Sequence, residues 1–126
     1  MITGAHFVLL SKDPEADRAF FRDVLDFHSI DIGDGWLLFR LPPAELAVHP
    51  GDSSIQPSDE PHLLPTLPYF MCDNLNSTIE SLKAKGIACT TVTEAAWGVR
   101  TTIRLPSGGE IGLYQPYSPT AFDQPK

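Results

Sequence analysis

The sequence predicts an α+β fold in which two copies of one βαβββ module form curved mixed sheets around a concave cavity. Three observations predict it. The tripeptide Arg-Leu-Pro occurs twice, at residues 40–42 and 104–106, each time followed by an acidic residue and a short apolar strand. Upstream of each copy lies a strand and then a capped amphipathic helix, so the chain repeats itself at the level of a whole module. The strands also alternate, one face almost wholly apolar and the other mixing aromatic, aliphatic and charged side chains.

The first module covers residues 1–50. Residues 6–10 (HFVLL) read as its opening strand. Asp13 is a natural N-cap with Pro14 at the first helical position, and Ala16, Ala19, Phe20, Val24 and Leu25 recur at helical spacing. Residues 35–49 (GWLLFRLPPAELAVH) supply the return strands. A linker of Pro and Ser character, residues 51–65, shows no clear periodicity. The second module covers residues 66–116. Asn74 caps its helix, Leu75, Ile79 and Leu82 form the apolar stripe, and Gly86 supplies the stop. Residues 98–114 (GVRTTIRLPSGGEIGLY) repeat the strand pair, with Ser107-Gly108-Gly109 in place of the tight Pro43-Ala44 connection. Residues 117–126 read as an irregular tail.

Parity assigns the faces. The helix-facing set is Phe7 and Leu9; Leu37, Phe39 and Leu41; Leu46 and Val48. In the second module it is Phe70 and Cys72; Val99, Thr101 and Ile103; Ile111 and Leu113. The opposite face carries Trp36, Leu38, Tyr69 and Met71, which a merely solvated face would not, and arginines and glutamates, which a dry core would not. A concave pocket, apolar with a few polar groups, fits both. The candidate ligand-binding residues are therefore Trp36, Leu38, Arg40, His49, Tyr69, Met71, Arg104 and Tyr114. The aromatics would stack on a flat molecule, and the charged groups would meet an oxygen-rich or anionic edge. Arg40 and Arg104 also read as strand-end partners of Glu45 and Glu110, and Trp97 as either a stacking group or a cap on the sheet edge.

Composition bounds the function. The 126 residues suit one domain, and 42% hydrophobic content is ordinary for a globular chain. A net charge of −7 argues against a nucleic-acid or anionic-membrane partner. No apolar run has membrane-spanning length, and residues 1–6 lack a signal-peptide pattern, which together point to the cytoplasm. Cys72 and Cys89 form no CxxC and read as free thiols.

The segments 6–10, 13–27 (DPEADRAFFRDVLDF) and 105–116 (LPSGGEIGLYQP) resemble the vicinal oxygen chelate superfamily. That superfamily includes glyoxalase I, bleomycin-resistance proteins, fosfomycin-resistance enzymes and extradiol dioxygenases. The first helix resembles the family's "FY-x-x-x-LG-F", with Phe21 and Asp26 at the usual Tyr and Gly. The last strand resembles its "DPDG-x-x-IEL-x-x-P". The resemblance covers the chain apart from linker and tail, and is closest to small stand-alone members often labelled extradiol-dioxygenase-like. It implies the glyoxalase/bleomycin-resistance/dioxygenase fold and, in metal-dependent relatives, four ligand positions on the first and last strands of each module. Those positions fall on His6, Ala47, Leu67 and Gly112, so only one keeps a ligand. A divalent site typically draws three or more. A shifted set from His6, Glu45, His49 or Glu110 stays on the same face by period two.

Two function classes follow. One is a binding protein that holds a small planar or oxygen-rich organic molecule without a cofactor. The other is a metal-dependent extradiol-type dioxygenase or glyoxalase-type lyase or isomerase using iron, manganese, nickel or zinc, with His6, Glu45 and Glu110 as catalytic or metal-ligating candidates. Sheet edges needing cover, and the family's habit of completing modules across a two-fold axis, predict a homodimer.

Overall fold

A computed structural model describes residues 1–51, 62–117 and 119–121. It contains two helices, α1 (Pro14–Asp23) and α2 (Leu75–Ala84). Both start as their caps dictate. The Asp13 carboxylate accepts from the Ala16 N–H at 3.2 Å, and the Asn74 side chain accepts from the Ser77 N–H at 3.0 Å. Beyond α1, Asp26 sits at φ +58°, the left-handed conformation for which the resembled motif carries glycine. Beyond α2, Gly86 takes the same region at φ +81°.

The second module is complete. Strand β3 (Tyr69–Met71) precedes α2, and β4 (Thr93–Ala95), β5 (Gly98–Arg104) and β6 (Glu110–Pro116) follow it. The sheet order is β3-β6-β5-β4, with β3 parallel to β6 and the other pairs antiparallel. Gln115 anchors the crossover, its Oε1 accepting from the Leu75 N–H at 2.9 Å at the start of α2. The parity expected for this module holds. Ile103, Ile111 and Leu113 are buried beneath Leu75 and Leu82, with Phe70, Cys72 and Val99 packed at the margin. Both cysteines are free and half-buried, as their spacing implied.

The first module differs from expectation. It forms only β1 (Ser29–Asp31) and β2 (Leu37–Phe39), an antiparallel pair. Residues 6–10 and 45–49, expected as its outer strands, lie outside regular secondary structure. Phe7, Leu9, Leu46 and Val48, expected to face the helix, are exposed, Val48 to 88%. The cause is where α1 spends its apolar face. Phe20 and Phe21 join the core built with Leu75, Leu82 and Ile103. Phe21 lies 5.7 Å from Phe39 on β2 but also 6.2 Å from Phe70 on β3, so α1 covers the seam between modules rather than a sheet of its own.

A polar clasp fixes that seam. The Asp17 carboxylate, 6% exposed, accepts from Ser11 Oγ at 2.6 Å, Ser107 Oγ at 2.6 Å and the Ser107 N–H at 3.0 Å. Burial pushes this carboxyl up, but the Ser107 and Ser11 bonds outweigh it and hold Asp17 below the ordinary carboxylate range. At the other end of α1, Lys85 Nζ donates to the Val24 carbonyl at 2.8 Å.

Candidate functional site

Cross-strand register organises the face of the second sheet that lies away from the helices. One row runs Thr93, Arg100, Tyr114 and Met71 across β4, β5, β6 and β3. The next runs Thr102, Gly112 and Tyr69, and beyond it lie Arg104 and Glu110. Trp97, in the turn between β4 and β5, folds back toward these rows. Its ring centroid lies 5.3 Å from that of Tyr114 and 6.5 Å from that of Tyr69, while Tyr69 and Tyr114 are 5.9 Å apart. The interplanar angles of 81°, 85° and 89° make all three contacts edge-to-face, the arrangement the ring quadrupoles favour.

Gly112 makes the cluster possible. The Tyr69 ring lies directly over its α-carbon, and any Cβ there would collide with Tyr69. Burial, helped by the nearby Glu45 charge, pushes the Tyr114 phenol up, so it remains a neutral donor and acceptor.

The sequence-predicted residues divide. Tyr69, Met71 and Tyr114 share this face. Arg104 stands at its far end, its Nη2 3.9 Å from Glu110 Oε2, while Glu110 Oε1 accepts from Thr102 Oγ1 at 2.6 Å. Glu45 Oε1 accepts from the Ala121 N–H at 3.2 Å. His6 and His49 are exposed in the irregular outer segments. Trp36 stands apart, with the Arg18 guanidinium 4.3 Å over its ring. The turn before it is built on Asp31 accepting from the Gly33 and Gly35 N–H groups, and Trp36 precedes β2 rather than lying in it. Leu38 and Arg40 line an open cavity of about 220 Å³ with His28 and Ile30, beside a second of about 480 Å³ bounded by residues 26–28 and 40–43.

Sequence reasoning reads His28, which lines both cavities, as a solvated residue beside a loop, and does not single out Arg100. Arg100 was visible by parity on the face of Tyr114, but the short β4 that supplies its partner Thr93 left no periodic trace. Burial pushes the Cys72 and Cys89 thiols up, which disfavours the thiolate form at both.

Of the four ligand positions the resemblance implies, only His6 carries a side chain able to bind a divalent cation. Gly112 lies under an aromatic ring and Leu67 and Ala47 have no donor side chain. The shifted candidates His6, Glu45, His49 and Glu110 are not brought together. Among the described residues no three His, Cys, Asp or Glu side chains converge. Nor is any helix among them long and apolar enough to cross a membrane.

No family model matches the sequence, and no curated protein matches it. Solved structures do. The antibiotic-binding protein TnmS3 from Streptomyces sp. CB03234 superposes with a TM-score of 0.62 at 19% identity, over 92% of this chain and 99% of that one. Lactoylglutathione lyase from Agrobacterium tumefaciens gives 0.57 at 19% identity, over 85% and 88%. A glyoxalase/bleomycin resistance protein from the same Streptomyces strain gives 0.54 at 19%, over 83% and 93%. The chain has the glyoxalase/bleomycin-resistance fold, the fold of the vicinal oxygen chelate superfamily.

Proposed function

We propose that this protein binds a small planar, oxygen-rich organic molecule on the aromatic face of its second sheet, without a metal, and does so as a homodimer. The observation that carries the reading is the ring of Tyr69 lying over Gly112. The strand position that would present a metal ligand instead supports a flat apolar surface, bordered by Trp97 and Tyr114. Such a surface gains binding energy by stacking, and the surrounding hydroxyls of Tyr69, Thr93 and Thr102 supply hydrogen-bonding groups for ligand oxygens. The likeness to an antibiotic-binding protein supports a binding role, while the likeness to a lyase supports only the shared fold.

Exposed apolar side chains support the dimer. Phe7, Val8, Leu10, Leu46 and Val48 lie on the surface in the outer segments of the first module and are what a second copy would cover.

The test is quenching of Trp97 fluorescence by a naphthalenediol, in a Trp36→Phe background, with and without chelator. Saturable quenching that ignores the chelator and is lost in Tyr69→Ala is the expected result. Quenching that requires one bound divalent cation per chain would replace this reading with the metal-dependent enzyme.

A further inference from the structure

We infer that Arg100 makes the aromatic face selective for a planar aromatic carboxylate; this rests on the binding site proposed above and names the chemistry of its ligand. The guanidinium is held in place by neutral groups only. Its Nε donates to Thr93 Oγ1 at 3.2 Å and its Nη1 to the Tyr69 hydroxyl at 3.1 Å, and its Cζ stands 5.8 Å from the centre of the Trp97 ring. Among the described residues no carboxylate lies within ion-pairing distance of it. Arg104 and Arg22 differ in this respect, being paired with Glu110 and Asp23.

An arginine in this setting is oriented but not neutralised. Two of its five N–H groups are engaged, and the unengaged ones on Nη1 and Nη2 form the fork that matches a carboxylate. Because the same tyrosine both donates its ring to the platform and accepts from Nη1, the charge is fixed at the edge of the stacking surface. A ring lying on Tyr69, Trp97 or Tyr114 would therefore bring its substituent carboxylate to the guanidinium without moving the protein. Long-range attraction is not the source of selectivity. The chain carries net charge −7 and would repel anions at a distance, so preference must come from contact at Arg100.

The experiment is titration of the full chain with naphthoate and with naphthamide, which share a ring system and differ in charge. Binding is read by Trp97 fluorescence in the Trp36→Phe background. Naphthoate should bind at least about tenfold more tightly, the size of one charge-assisted bond. Arg100→Gln should abolish that preference while leaving naphthamide within about twofold, and Arg100→Lys should keep only part of it, having the charge without the fork. Retention of the preference in Arg100→Gln, or its removal by Arg104→Gln instead, would overturn the inference. Equal binding of both probes would overturn anion selectivity but leave the aromatic site standing. Binding of neither would overturn the site and the inference together.

Discussion

The two modules carry the same Arg-Leu-Pro strand pair and similarly capped helices, yet only one closes. In the second, β3, β6 and β5 run side by side, and their inner residues meet α2 and the end of α1, so Ile103 on β5 reaches 0% exposure. In the first, the corresponding outer segments pair with no strand, and Leu46 remains 84% exposed. Alternation of apolar residues is equally good in both. What separates them is cover. Both helices contribute to one core, and a strand whose inner face meets no helix gains nothing from pairing. Residues 6–10 and 45–49 therefore leave apolar side chains exposed, whereas the second module buries its inner face under both helices.

The sharpest way to break this comparison is to weaken each module in turn. Ile111→Ala should cost roughly 2–5 kcal/mol, the same at every protein concentration, because its surroundings lie within one chain. Val48→Asp should instead leave the chain folded and shift it from dimer to monomer in light scattering. A dimer mass that survives Val48→Asp at micromolar concentration would remove residues 45–49 from the interface.

The clasp between modules comes next in size. Asp17→Ala leaves the half-buried Ser107 N–H without its acceptor and should cost about 1–3 kcal/mol in urea unfolding. Since Asp17 in the folded chain lies below its ordinary value of 3.8, its stabilisation is complete above that value. It is lost as pH falls through the lower folded value. The wild type should therefore lose stability more steeply than Asp17→Asn in this acid range, and parallel acid limbs would show that the carboxylate does not fasten the modules.

The smallest expected effect has the opposite sign. Asp26→Gly relieves a left-handed backbone and should stabilise by about 0.5–1 kcal/mol. The exposed Lys85–Asp26 pair at 3.6 Å that it removes is worth little. A lower melting temperature in Asp26→Gly would assign the carboxylate a role beyond this pair.

The caps at Asp13 and Asn74, the stop at Gly86 and the inner face of the second sheet were all legible in the sequence, because each is a local or period-two signal. Strands β1 and β4 were not, since Ser-Ile-Asp and Thr-Glu-Ala carry too few apolar residues to alternate. The open state of residues 6–10 was invisible for a different reason. Alternation states which face wants burial, not which element will provide it. That Tyr69, Met71 and Tyr114 share one face of the second sheet followed from parity, whereas Trp36 lies outside β2, beside the Asp31 turn. The choice between Arg104 and Arg100 depended on which one meets an acid, a fact of pairing across β4, β5 and β6 that no single strand contains.

The contact between Tyr69 and Gly112 also constrains how this chain could change over generations. A side chain added at 112 while the ring remains would collide with it, and loss of the ring while 112 stays glycine would strip the platform without supplying a ligand donor. Each single step is unfavourable and only the pair together leads anywhere new, so the two sites are strongly non-additive. The contact acts as a ratchet in the simple mechanical sense: neither residue can be replaced freely unless the other gives way.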